Sequence, residues 1–294
     1  MAVGNTITQS LADSLPSVRQ SARVTREYGR VMAGVADRVT LGEGMGLSWN
    51  EITLAQLTAS AIQETTVEDN PQQIDDSIFT LTPTMLSVQT IITERTAKRI
   101  SKNVWARTGG LAQNAIERKN DRDGIAVMDG FSTSNPGAGS TLTSGHIAAA
   151  AANIRSNTTE PWDGPIAAVL HGFQRHDLYT ELVAGVGTYP IPSGPTSRVF
   201  SGQFNLPIAE AVIMRDDLIP IDGGDDAKGG VFASGKNGAL VLCQGRSAWT
   251  NVRERPEIGG GATEMFHRDE KAWGERSSGN WGHEMFSDAM APTS

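Results

Sequence analysis

Apolar residues recur at helical spacing toward both ends of one proline-free stretch, Thr93 to Gly130. Ile100, Val104 and Trp105 come first, then Leu111, Ala115 and Ile116, then Ile125 and Met128. That spacing predicts helix, with Thr93 or Ser101 able to cap a start and Gly130 placed to stop it. Gly109-Gly110 costs about 1 kcal/mol per glycine against alanine in a helix interior, so a break or kink is expected there. The centre is different. Glu117 to Asp123, ERKNDRD, is an unbroken polar run. With no apolar stripe, it has no means of burial in an ordinary core, so it lies on a surface or is met by polar partners. It is either a solvated face knit by charge pairs four residues apart, or a rod that takes charged contacts from a neighbouring chain.

The pattern before this stretch has another period. SWNEITLAQLTASAIQETT and QQIDDSIFTLT are rich in threonine and isoleucine and alternate, and Glu68-Asp69-Asn70-Pro71 supplies a tip. Residues 47–82 therefore predict one long hairpin. Residues 1–46 predict an arm, with Pro16 opening a helix that runs to about Ala36 and Gly42, Gly44 and Gly46 as a joint. The joint is no dinucleotide loop, because Trp49 stands where the third glycine belongs and no strand precedes it. Downstream, Phe131 to Ser144 is loop by composition, and Ser144 can cap a helix over His146 to Ile154. Ile166 to Leu170 predicts a buried strand, Gln174 to Val183 an amphipathic helix, and Gly185 to Gly202 a proline-bearing loop. Ala209–Met214, Val231–Ala233, Ala239–Cys243 and Trp249–Val252 read as strands, and Trp273, Trp281 and Phe286 mark strand candidates in the tail. The expected class is α+β.

Charge changes this picture. From Gly46 to Ile92 there are six acids and no base, whereas Thr93 to Gly130 holds eight bases against five acids. An acidic ribbon and a basic rod in one chain suit head-to-tail pairing of copies. Glu64, Glu68, Asp69, Asp75 and Asp76 of one copy would lie over Lys98, Lys102, Arg118, Lys119 and Arg122 of the next. A two-stranded hairpin is marginal alone in water and needs something to lie on. Charge complementarity would set register and rate more than affinity. In the arm, Arg19, Arg23, Arg26 and Arg30 fall on one helical stripe. That stripe is a solvated face, or it docks on an acidic neighbour or on phosphates. The net charge of −8 argues against a dedicated nucleic-acid binder. With 38% hydrophobic and 20% charged residues the chain is globular, and 294 residues allow one large or two small domains. The single cysteine, Cys243, excludes an intrachain disulfide and reads as a buried strand residue within LVLCQG. No apolar run reaches the length of a membrane span, and MAVGNTITQS lacks the pattern of a secretion signal.

Catalytic constellations are not legible. His171 and His176 are five apart across a strand-to-helix turn, and His146, His267 and His283 lie in no metal-ligand spacing. No GxSxG elbow occurs. Asp216, Asp217, Asp222, Asp225 and Asp226 crowd one loop, but their spacing does not supply the alternating oxygens and late glutamate of a calcium loop. Gly259-Gly260-Gly261 is followed by neither a lysine-serine nor a lysine-threonine pair, so it is no phosphate cradle. No metal, cofactor or catalytic residue is expected.

The order of segments carries a resemblance. A glycine joint, a long hairpin ending in TLTPTML, and a helix with a polar centre closing on DGIAVMDG before a glycine-rich loop resemble the major capsid proteins of tailed bacteriophages with the HK97-type fold. LTSGHIAAAAANI with PIAAVLHGFQRHDLYTELVAG resembles the start of that family's axial domain, and ALVLCQGRSAWTNV and WGHEMFSDAMA resemble the return to its peripheral domain. The resemblance implies an arm (1–46), an extended loop (47–82), a peripheral domain with a spine helix (83–140), an axial domain (141–230) and return strands (231–294). It also implies a non-catalytic virion protein, assembled in the host cytoplasm into hexamers and pentamers of an icosahedral shell around double-stranded DNA. Scaffold, portal and minor or decoration proteins would be partners, and Arg19, Arg23, Arg26 and Arg30 would touch DNA weakly from inside. The residues before the hairpin leave no room for a scaffolding domain, so a scaffold is expected as a separate chain or in a longer precursor. Some members crosslink through a lysine in the extended loop, but no lysine precedes Lys98, so a non-covalent shell is expected. An encapsulin-like compartment is the alternative in the same architecture, and a soluble enzyme with an unrecognised site is the alternative from another class.

Overall fold

The computed structural model describes residues 5–6, 30–59, 61–62, 71–100, 104–131, 133–186, 207–276 and 280–292. In chain order the elements are β1 (Asn5–Thr6), α1 (Met32–Val35), β2 (Asp37–Thr40), β3 (Trp49–Leu54), β4 (Asp76–Leu81) and β5 (Thr84–Thr93). Then come α2 (Glu94–Ile100), α3 (Val104–Met128), α4 (Ser144–Arg155), β6 (Ile166–Leu170), α5 (Gly172–Val186) and β7 (Ala211–Arg215). β8 (Asp226–Ala233), β9 (Leu240–Gln244), β10 (Trp249–Arg255), β11 (Ala262–Glu275) and β12 (Gly282–Asp288) complete the chain.

These elements make three sheets. The first runs β1-β5-β11-β9-β2, with β10 also paired to β11. Its backbone is the antiparallel ladder of β5 on β11, in register from Thr93 opposite Ala262 to Thr84 opposite Lys271. The second runs β12-β8-β6-β7, with only β6 and β7 parallel. β6, IAAVL, is buried at every position, as a continuous apolar run must be when both faces are covered. Gln174 of α5 helps cover it: fully buried, its amide nitrogen donates to the Ala227 and Met285 carbonyls at 2.8 and 3.0 Å. The third sheet is the hairpin β3–β4 alone.

α3 joins the two larger sheets. At 1.5 Å per residue it is about 37 Å long. Its middle and C-terminal half cross β11, and Gly124 permits the approach: a Cβ there would stand 3.1 Å from both Met32 Cβ and the Trp273 ring. Its last turns insert Ile125 and Met128 into the core of the second sheet, with Phe131, Phe232 and Met285. The break expected at Gly109-Gly110 is not there, since Val104–Met128 is one helix. Burial of Ala112 and Ile116 in the turns that follow offsets the glycine cost. Ser101 lies outside the described residues. Thr93 stands at the head of α2, its hydroxyl 2.9 Å from that of Thr96.

Other expectations need correction. Met32–Thr40, expected in the arm, is built into the body: Met32 and Val35 are core, and β2 runs parallel to β9. The two closing segments part company, β9 entering the first sheet and β12 the second. α4 starts earlier than His146, with Thr143 as its N-cap and the Thr143 amide donating to His146 Nδ1 at 3.2 Å. Of the arm helix expected from Pro16 to Ala36, residues up to 29 lie outside the described residues and only Met32–Val35 of the rest is helical; the 185–202 loop, apart from Gly185–Val186 at the end of α5, also lies outside them. Among the described residues no helix is long and apolar enough to cross a membrane.

Candidate intersubunit surface

The β3–β4 hairpin has two unequal faces. In its register Trp49 opposes Leu81, Glu51 opposes Phe79 and Ile52 opposes Ile78. Trp49, Glu51, Phe79 and Leu81 share the inner face near the base. Trp49 and Phe79 meet edge to face at 6.2 Å, and with Leu81 they pack on Val241 and Cys243 of β9. Gly274 of β11 leaves room for this, because a Cβ there would stand 2.4 Å from Leu81 Cδ2. Burial pushes the Cys243 thiol above its ordinary pKa, which suits a core residue and not a nucleophile.

Arg276, just past β11, clamps the base. Its guanidinium donates to Asp37 Oδ2 at 2.8 Å, Glu51 Oε2 at 2.8 Å and the Gly238 carbonyl at 2.6 Å. It thereby ties together the hairpin, β2 and the turn before β9. Beyond the base, Gln56 reaches the Thr159 carbonyl and an open cleft of about 800 Å³ lies between hairpin and body.

The outer face is apolar and uncovered. Ile52 is 62% exposed, Ile78 65% and Leu54 65%, with Leu57, Ile62 and Ile74 exposed further out. A contiguous apolar patch of this kind marks an interaction surface. Asp75 and Asp76 are exposed beside it. Glu64, Glu68 and Asp69 lie outside the described residues, so the tip itself is not placed.

The basic rod is less available than its charge count implies. Lys98 pairs with Glu94 at 3.0 Å and Lys119 pairs with Asp123, each four residues apart on its own helix. Arg118 is half-buried and engaged, and Lys102 lies outside the described residues. Arg122 is exposed and borders a groove of about 450 Å³ shared with Leu218, Pro220 and Lys228. Arg30 is paired with Glu117 at 3.2 Å, while Arg19, Arg23 and Arg26 lie outside the described residues.

Of the two places expected for the polar centre of the rod, a surface or a site met by polar partners, the structure shows the second for Asn120 and Asp121. Asn120 is 2% exposed and Asp121 1%. Asn120 Oδ1 accepts from Trp273 Nε1 at 2.9 Å, and Asp121 Oδ1 accepts from the Met32 amide at 3.0 Å. Polar partners from the same chain, on β11 and α1, make this burial tolerable. The aspartate-rich loop is likewise internally engaged, Asp222 Oδ1 accepting from the Gly224 and Asp226 amides.

β11 is announced by the residue pattern only at Trp273, marked as a strand candidate, and not along its charged length. Glu264 and Asp269 are buried within it, and His267 nearly so. Glu264 is bound by Arg255 at 2.7 Å and by Gln89, Asp269 by Lys271 at 2.6 Å, and His267 Nδ1 lies 3.0 Å from the Thr250 hydroxyl. The one available signal was aromatic spacing, Phe266 and Trp273 flanking the charged run HRDEK.

No protein-family model matches the chain, and no curated protein does. Solved structures do match. The chain is similar to the head structure of Helicobacter pylori bacteriophage KHP40, with a TM-score of 0.71 at 11% identity, covering 93% of this chain and 96% of that one. Against Mycobacterium phage Che8 the TM-score is 0.70 at 11% identity, covering 94% and 98%. Against the cyanophage Pam1 capsid asymmetric unit it is 0.69 at 10% identity, covering 99% and 100%. The fold is thus the α+β, HK97-type fold of these phage head chains, shared along almost the whole length of each.

Proposed function

We propose that this chain is a major capsid protein that assembles into the hexamers and pentamers of an icosahedral shell around double-stranded DNA. One observation carries the reading: the likeness to phage head chains spans at least nine-tenths of both partners. The hairpin supports it independently. Ile52, Leu54 and Ile78 form an apolar stripe that the described residues of the chain leave uncovered, so a second copy is the natural cover. Asp75 and Asp76 then sit where they can meet Arg122 and its neighbours on that copy, setting register while the apolar stripe supplies affinity.

The role is mechanical, not catalytic. The body is a tile braced by α3, and the hairpin is a strap fixed at one end by Arg276 and Trp49. Arg19, Arg23 and Arg26 are proposed to face the interior, where few charges give weak, salt-sensitive DNA contact, whereas Arg30 is engaged by Glu117. The virion is the expected location.

Electron microscopy of the expressed, purified chain tests this. Closed shells are expected, containing nucleic acid and running as monomer on denaturing gels. Shells filled with a cargo protein would favour the compartment alternative, and a discrete soluble monomer at assembly concentration would overturn the shell reading.

A further inference from the structure

A pair of carboxyl groups is buried where α3 meets the second sheet. Asp121 lies in the polar run of α3, and Asp216 immediately follows β7. Each is 1% exposed. Each is satisfied through one oxygen: Asp121 Oδ1 by the Met32 amide and Asp216 Oδ1 by the Leu218 amide, both at 3.0 Å. The other oxygen of each, Oδ2, is buried without a donor. The two carboxyls are neighbours: Arg122, next to Asp121, and Asp217, next to Asp216, line one groove, and Asp121 is among the groups that raise the Asp216 carboxyl. Ionised carboxylates only accept, so two neighbouring ones attract only if one carries a proton.

The surrounding charges do not remove that requirement. Asp217, next in the chain, adds a like charge but is held by Arg215 at 2.5 Å and by the Gly172 amide at 3.0 Å. His171, at the turn into α5, faces Asp217 and Arg215, and burial lowers its pKa. Arg175 of α5 faces the same two groups. On α3, Arg122 follows Asp121 but is exposed, and on β8 Lys228 is engaged with Asp129 and Glu284. α1 contributes only the Met32 amide, since Met32–Val35 has no titratable side chain.

We infer that Asp121 and Asp216 share one proton and form a pH-sensitive clamp between the long helix and the second sheet. Desolvation, reinforced by Asp121 and Asp217, pushes the Asp216 carboxyl up to about 7. An unfolded aspartate titrates near about 3.9. Between these values the folded chain binds more protons than the unfolded one, so this pair's contribution to stability falls as pH rises. Below the window the clamp is closed at no ionisation cost. Above about 7 two like charges face each other in a dry junction, and the Met32–Asp121 and Asp216–Leu218 contacts loosen. The clamp rests on the fold alone, so its failure would leave the shell reading intact, and the reverse.

The test uses the full chain in its own assembly state, as wild type, Asp216→Asn and Asp121→Asn. An asparagine keeps the shape and supplies a fixed donor in place of the shared proton. Relative to Asp216→Asn, the wild type is expected to lose several degrees of Tm between about pH 5.5 and about pH 8.5. Infrared difference spectra at about pH 6 should show a carboxylic-acid carbonyl band in the wild type that either substitution removes. Asp177 and Glu284, also raised by burial, contribute equally to all three spectra and cancel. Parallel Tm profiles in all three proteins, or a band that survives both substitutions, would overturn the clamp. Should the variants not fold, absence of any carboxylic-acid band titrating near about 7 in the wild type would overturn it equally.

Discussion

The hairpin and the centre of α3 invert each other. In β3–β4, Ile52, Ile78 and Leu54 are apolar and stand in water. In α3, Asn120 and Asp121 are polar and stand in the core. Both break the rule that apolar residues go in and polar residues out, yet the remedies differ. The rod finds partners inside its own chain, in Trp273 and the Met32 amide. The ribbon's outer face finds none among the described residues, and a second copy is the proposed cover. A buried polar residue is a solved local problem, whereas an exposed apolar stripe is an unfinished interface.

The largest effect should come from breaking the ribbon. Ile52→Asp combined with Ile78→Asp is expected to abolish shell formation, read by light scattering and microscopy. The Tm of the unassembled subunit should move little, because exposed substitutions stay within about 0.5 kcal/mol. If shells form normally, the outer face is not the contact. Next is Arg276→Ala, which strands Asp37 and Glu51 and is expected to cost about 3–5 kcal/mol in urea unfolding. Faster hydrogen exchange across β3 and β4 should accompany it, and unchanged exchange would mean that the aromatic contacts alone hold the base. Smallest is Asn120→Ala, expected to cost about 1–3 kcal/mol by leaving the Trp273 indole N–H without its acceptor. A neutral result would mean that the polar centre of α3 is solvated after all.

Much of the architecture was legible because periodicity reports burial. IAAVL reads as a doubly covered strand and the ends of α3 as helix, and both are found, while of the ribbon expected over 47–82 the ladder Trp49–Leu54 with Asp76–Leu81 is found at its base. LVLC of β9 is apolar throughout because Leu240 and Leu242 face the main core while Val241 and Cys243 face the hairpin base. β11 was not legible for the opposite reason. HRDEK looks solvated, and its buried members are tolerable because Asp269 pairs with Lys271 and His267 meets the Thr250 hydroxyl. At the candidate surface, charge totals were legible but availability was not: Lys98, Lys119 and Arg30 each have a carboxylate of their own.

By itself the sequence determined the class of fold, the ribbon, the rod and the lack of lysine before Lys98, since these depend on residue identity and local spacing. Tertiary structure alone decided that the rod's centre is buried, that Met32–Thr40 belongs to the body, and that β12 joins the second sheet. Each of these turns on residues far apart in sequence satisfying one another, and a buried donor or acceptor is recognised only when its partner is in place.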